Sequence, residues 1–92
     1  MGRGRRPQPK RLALKLFRVR EALDVSQAKM VELLAQPKLY PTHISEYERG
    51  EREPPLPTLL AYARLAGVCL DVLVDDELDL PAKLPAKPKH KT

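Results

Sequence analysis

Leu12, Leu16, Val19 and Leu23 recur at spacings of four, three and four residues, which lays one apolar stripe along a first helix. Ser26 is a natural N-cap for a second helix, because its hydroxyl can accept from the free N–H groups of the opening turn; Met30, Val31 and Leu34 then face inward. A short third helix starts near Pro41 and Thr42 and buries Ile44 and Tyr47 before Gly50. The fourth follows Pro57 with Leu59, Tyr62, Ala63 and Ala66 inward, and a fifth of one to two turns runs near Leu70–Val74. Proline is expelled from helix interiors, and the proline-free runs 10–36, 42–53 and 58–80 match these segments. Gly50 and Gly67 each follow an apolar-periodic stretch, where a left-handed residue ends a helix. Only Val68–Val74 is β-branched enough to read as a strand, and it has no partner. The pattern predicts an all-α fold, a compact five-helix bundle.

Length narrows the function. Ninety-two residues make one small domain whose core is Leu, Val and Ala, since aromatics are only 4%. A domain this size buries roughly 60% of its unfolded surface, so little room is left for a deep substrate cavity. No paired carboxylates, nucleophile–base arrangement or phosphate-cradling glycine loop is visible, and the chain reads as a binder without catalysis. One cysteine, Cys69, and two scattered histidines offer no disulfide, no metal site and no cofactor site. The longest apolar run, Leu59 to Ala63, is far short of the ~20 residues of a membrane helix, and Lys15 and Arg18 interrupt any signal-peptide stretch. No membrane role is expected. The expected compartment is the reducing cytoplasm.

The net charge of +5 conceals a partition. Residues 1–20 hold eight Lys/Arg and no acid, residues 81–92 hold four lysines and no acid, and all twelve acids fall in 21–80 beside five bases. Basic ends flanking an acidic centre point to a polyanion, nucleic acid or an anionic surface, or to tails that only solubilise. Five acids (Asp71, Asp75, Asp76, Glu77 and Asp79) lie in the last stretch of that acidic centre, so basic groups stand at the beginning and an acidic block at its rear. The expected organisation is a flexible basic arm over 1–11, a folded domain over 12–80, and a disordered Pro/Lys-rich tail over 81–92.

Two helices joined by a brief connection, with a glycine-ended turn and more helix behind, suggest a helix-turn-helix, although any small bundle offers helix pairs. The residues are more specific. Ser26-Gln27, Ile44-Ser45-Glu46-Tyr47-Glu48-Arg49-Gly50, Arg52-Glu53-Pro54 with Leu56, then Leu59-Leu60, Ala63, Gly67-Val68 and Leu70-Asp71 resemble the phage-repressor (Cro/Xre-type) helix-turn-helix family. The resemblance covers about residues 12–74, and the E-R-G-x-R-x-P run is its most specific part. It implies double-stranded DNA as the partner, with the third helix entering the major groove. Carried onto this chain, Pro41, Thr42, Ser45 and Glu46 face base edges, and Gln27, Arg49 and Arg52 meet phosphates. His43 either lines the groove edge or packs against the turn, with the second reading preferred, and the resemblance pairs Arg20 with Glu48 in a partly buried ion pair. This chain departs from the family in three places: the Leu34–Ile44 connection is three residues longer, Tyr40 stands at the helix start where Ser or Thr usually caps, and Val31 replaces an alanine.

The resulting expectation is a sequence-specific transcriptional regulator. It acts as a homodimer whose two-fold contact runs through Leu70–Leu80, because Val72, Leu78 and Leu80 are apolar with no obvious core to enter. The alternative for Leu78 and Leu80 is folding back on the first helix. Gly2 to Pro7 resembles an AT-hook, which implies that Arg3, Arg5 and Arg6 enter the minor groove. Two other functions stay open: an antitoxin-like module whose C-terminal tail engages a protein partner, and a non-specific nucleic-acid binder.

Overall fold

A stripe of leucines every third or fourth residue has to be covered, and in the computed structural model the five helices do so around one shared interior. The structure describes residues 9–84. The helices are α1 (Leu12–Leu23), α2 (Gln27–Leu34), α3 (Pro41–Glu48), α4 (Leu56–Ala66) and α5 (Leu70–Val74). α3 packs on α1 and α2, α4 on α1, α2 and α5, and α5 closes against α1. The stripes named from spacing are the core: Leu12, Leu16, Val19, Leu23, Met30, Leu34, Ile44, Tyr47, Leu59, Tyr62, Ala63 and Ala66 are all buried, and Val31 is half-buried. α4 starts one residue before Pro57. Pro55 is the N-cap and Pro57 stands in the first turn, where its missing N–H has no partner to lose.

The helix ends follow local chemistry. Ser26 Oγ accepts the Lys29 N–H at 3.0 Å and opens α2. Gly50 closes α3 at φ +75°. A Cβ there would meet Ala13 only at ordinary contact distance, 3.7 Å, so backbone conformation rather than space calls for glycine. The six residues between α2 and α3 hold two non-glycine residues in the left-handed region, Ala35 (φ 54°) and Lys38 (φ 59°), and seat Leu39 in the core.

α1 begins without a capping side chain and with no acid in its first turn. The missing group arrives from the other end of the domain. Asp76 Oδ2 accepts the Lys10 N–H at 2.8 Å, Oδ1 accepts the Arg11 N–H at 3.0 Å, and Arg11 Nη1 donates to the Asp76 carbonyl at 2.8 Å. Arg11 is also paired with Asp79. Conversely, Lys15 lies buried on α1 and its Nζ donates to the carbonyls of Val72, Asp75 and Leu78 at 2.8, 2.9 and 2.7 Å. The acidic block therefore clasps the start of α1.

The clasp extends to the edges of the described chain. The N–H groups of Lys10 and Arg11 are held by Asp76, while residues 1–8 of the expected arm lie outside the described residues. Leu80 does not project outward but packs against the chain's own core, while Leu78 stays exposed. Leu84 is half-buried against the same core, with Leu80, Pro81 and Ala82 beside Arg18, Glu21 and Ala22 of α1; residues 85–92 of the expected tail lie outside the described residues.

The clasp has a pH signature. The Arg11 N–H and then the Lys10 N–H hold the Asp76 carboxyl below the ordinary aspartate value. A depressed carboxylate contributes stability that is present above its unfolded pKa and is lost as pH falls through the folded one. Wild type is therefore expected to lose stability as pH drops below about 4, and Asp76→Asn to show a shallower loss. Urea midpoints at neutral pH and near pH 3 check this; parallel acid limbs would remove Asp76 from the account.

Candidate nucleic-acid interface

Ile44 and Tyr47 turn one side of α3 into the core, so residues spaced three and four apart on the other side share the solvent face. Pro41, Thr42 and Arg49 are exposed there, and Ser45 and Glu46 are half-buried. Pro41 occupies the first turn. The residue before it, Tyr40, is the N-cap and makes no side-chain capping bond; the reverse contact is present, in which the Tyr40 N–H donates to His43 Nδ1 at 3.1 Å. The imidazole lies between Tyr40 and Tyr47, with ring centroids 5.6 and 6.5 Å away. His43 thus sets the entry of α3. Sequence spacing carries a sign of this only if histidine is admitted at the third position of a capping box.

The other end of α3 is fixed to α1. Arg20 Nε and Nη2 donate to the Glu48 carboxylate at 2.6 and 3.0 Å, and Nη1 donates to the Val25 carbonyl at 2.9 Å. Their side chains are 18% and 7% exposed, so the pair is largely desolvated. The bond to Glu48 raises the Arg20 pKa above its ordinary value, while burial opposes the shift. The Arg20 guanidinium also stands 5.6 Å from the Phe17 ring centroid. Gln27, at the start of α2, donates Nε2 to Glu48 Oε1 at 3.2 Å, so one carboxylate ties the first three helices together. Beneath it the Tyr62 hydroxyl is fully buried with no protein partner among the described residues, and burial pushes its pKa up.

The cations proposed for phosphate are not bare. Arg49 meets the Glu51 carboxylate with two nitrogens, both at 2.9 Å, and also donates to Ser45 Oγ. Arg52 Nε donates to Glu46 Oε1 at 2.6 Å. Pro41, Thr42, Ser45, Glu46, Arg49 and Arg52 are brought together on α3 and the turn after it, whereas Gln27 faces the Glu48 carboxylate beside them. Arg3, Arg5 and Arg6 lie outside the described residues. Lys38, in the lengthened turn, is a cation that the spacing argument passed over.

A short helix packed under a second one, aimed outward by two buried side chains and pinned at both ends, defines a helix-turn-helix DNA-binding domain. The chain belongs to the helix-turn-helix family HTH_3, whose match runs over residues 16–73. The family is one of DNA-binding repressor domains and not of enzymes. In structure the chain is similar to the P22 c2 repressor, solved in complex with the synthetic operator 9T in the presence of Tl+. That likeness has a TM-score of 0.62 at 25% identity, and it covers 71% of this chain and 94% of the repressor chain. No curated protein matches the chain significantly in sequence. No helix among the described residues is long and apolar enough to cross a membrane.

Proposed function

We propose that this protein is a sequence-specific, double-stranded-DNA-binding regulator of transcription that seats α3 in the major groove. The observation that carries the reading is the pinned, outward-facing α3 within a fold similar to that of a repressor solved on operator DNA. In this reading Pro41, Thr42, Ser45 and Glu46 approach base edges. Thr42 can bond either base type or touch a thymine methyl, and Glu46 can accept from cytosine N4 once it leaves Arg52. Gln27, Arg49 and Arg52 meet the phosphates, and Arg3, Arg5 and Arg6 reach the minor groove. In-vitro selection from a random duplex pool tests it. The expected result is an enriched motif with two related half-sites about 10 bp apart. Retained binding without any enriched sequence would make the protein a non-specific binder, and no retention at all would end the DNA reading.

The two half-sites require two copies. Leu70, Val74 and Leu80 pack against the chain's own core and the backbone of 72–78 is used in the clasp, which leaves half-buried Val72 and exposed Leu78 as the apolar side chains of Leu70–Leu80 that a second copy can meet. Wild type is expected to sediment as a dimer at tens of micromolar, and Val72→Asp as a monomer with an unchanged fold. A monomer in both would remove Leu70–Leu80 as the contact.

A further inference from the structure

Four cations stand between Gln27 and Glu53, and three already hold a carboxylate. Lys29 reaches Glu32 along α2, Arg52 holds Glu46, and Arg49 holds Glu51 at two points. Lys38 alone has no carboxylate partner among the described residues. The Arg49–Glu51 pair is open to water, its side chains 54% and 56% exposed, and the arginine hydrogen bond holds the Glu51 carboxyl below the ordinary glutamate range. Glu51 is charged wherever the protein meets DNA.

A guanidinium that carries its own carboxylate offers a phosphate no net charge, and it releases no counterion until the carboxylate lets go. An exposed ion pair is weak, so a phosphate held at hydrogen-bonding distance can take the place of Glu51. A phosphate kept one water layer away cannot. Arg49 is also tied to Ser45 on α3, so its head lies against the helix and moves with it. We propose that Glu51 is a specificity-determining residue that withholds Arg49 from loose backbone contact and releases it only to a duplex docked closely on α3. This rests on the DNA-binding reading above. Discrimination then comes from a charge that opposes the wrong complex as well as from contacts that favour the right one.

The full chain, a random-sequence duplex and the duplex recovered by selection provide the test, with fluorescence anisotropy read across salt concentrations. Glu51→Gln is expected to tighten random-duplex binding about three- to tenfold and to steepen the slope of log affinity against log salt by about 0.9. On the selected duplex, where Arg49 is already released, the gain is expected to be smaller, so the ratio of the two affinities falls. The decisive comparison repeats Glu51→Gln in an Arg49→Gln background, where no guanidinium remains to be freed and the gain is expected to vanish. An equal gain in both backgrounds would overturn the proposal, because it would reduce Glu51 to simple repulsion. So would no gain in the wild-type background. Failure of the underlying reading is told apart on the wild type alone: equal binding to both duplexes, or binding to neither, overturns sequence-specific recognition and the role of Glu51 with it.

Discussion

Glu48→Ala and Arg20→Ala are each expected to destabilise the domain by about 3 kcal/mol, the low end of the 3–5 kcal/mol seen when one member of a buried pair is removed. The low end applies because Arg20 keeps 18% of its side chain exposed. In a domain this small that is a melting-point drop of roughly 12–24 °C. Glu48→Ala strips the carboxylate from Arg20 and from Gln27 together and leaves a guanidinium with only the Val25 carbonyl. The double substitution to Arg20→Met with Glu48→Leu is expected to recover much of the loss, since an apolar pair of similar volume has no charge to desolvate. Thermal melts of the three variants decide. Midpoints near wild type for both single variants would make the pair a surface contact in energetic terms, despite its geometry.

Lys15→Met is expected to cost a similar amount, about 3 kcal/mol, from a different source. Methionine keeps the buried stem of the lysine, so the core packing of α1 changes little. What goes is the ammonium that donates to the carbonyls of Val72, Asp75 and Leu78; the Asp75 carbonyl keeps the Leu78 N–H, and each of the other two part-buried acceptors left without a donor costs about 1–3 kcal/mol. Burial, and then the nearby charge of Arg11, lowers the Lys15 pKa from the ordinary lysine value, while Asp76 and Asp75 oppose the shift. The charged form thus carries a desolvation cost that the three acceptors offset. Hydrogen exchange gives the local readout: amides of α5 and of 75–78 are expected to lose protection before those of α2 and α3. Uniform loss across all five helices would show that Lys15 acts on the whole core and not through the clasp.

Much of the fold was legible along the chain because its signals are local. Helix stripes, the Ser26 cap and the Gly50 and Gly67 stops depend on residues within a turn or two of one another, and the observed elements begin and end where those signals stand. The outward face of α3 was legible for the same reason: Ile44 and Tyr47 fix which side points in. Charge was legible only as a sum. The count of basic residues at the start and acids behind 70 could not show that Arg11 and Lys15 are consumed by that acidic block, because the partners lie more than fifty residues apart.

The tertiary structure decided what each charge is for. A lysine on the apolar flank of α1 reads as a solvated residue until the end of α5 and the turn after it bring the carbonyls of Val72, Asp75 and Leu78 to its ammonium. An uncapped α1 reads as a frayed start until Asp76 reaches its N–H groups. Arg49 and Arg52 read as free phosphate contacts until the turn brings Glu51 and Glu46 against them. Periodicity fixes which residues are buried, since burial is set by a helix's own geometry. Which charge meets which carbonyl or carboxylate is set by where separate helices come to rest, and that depends on the packing of the whole core.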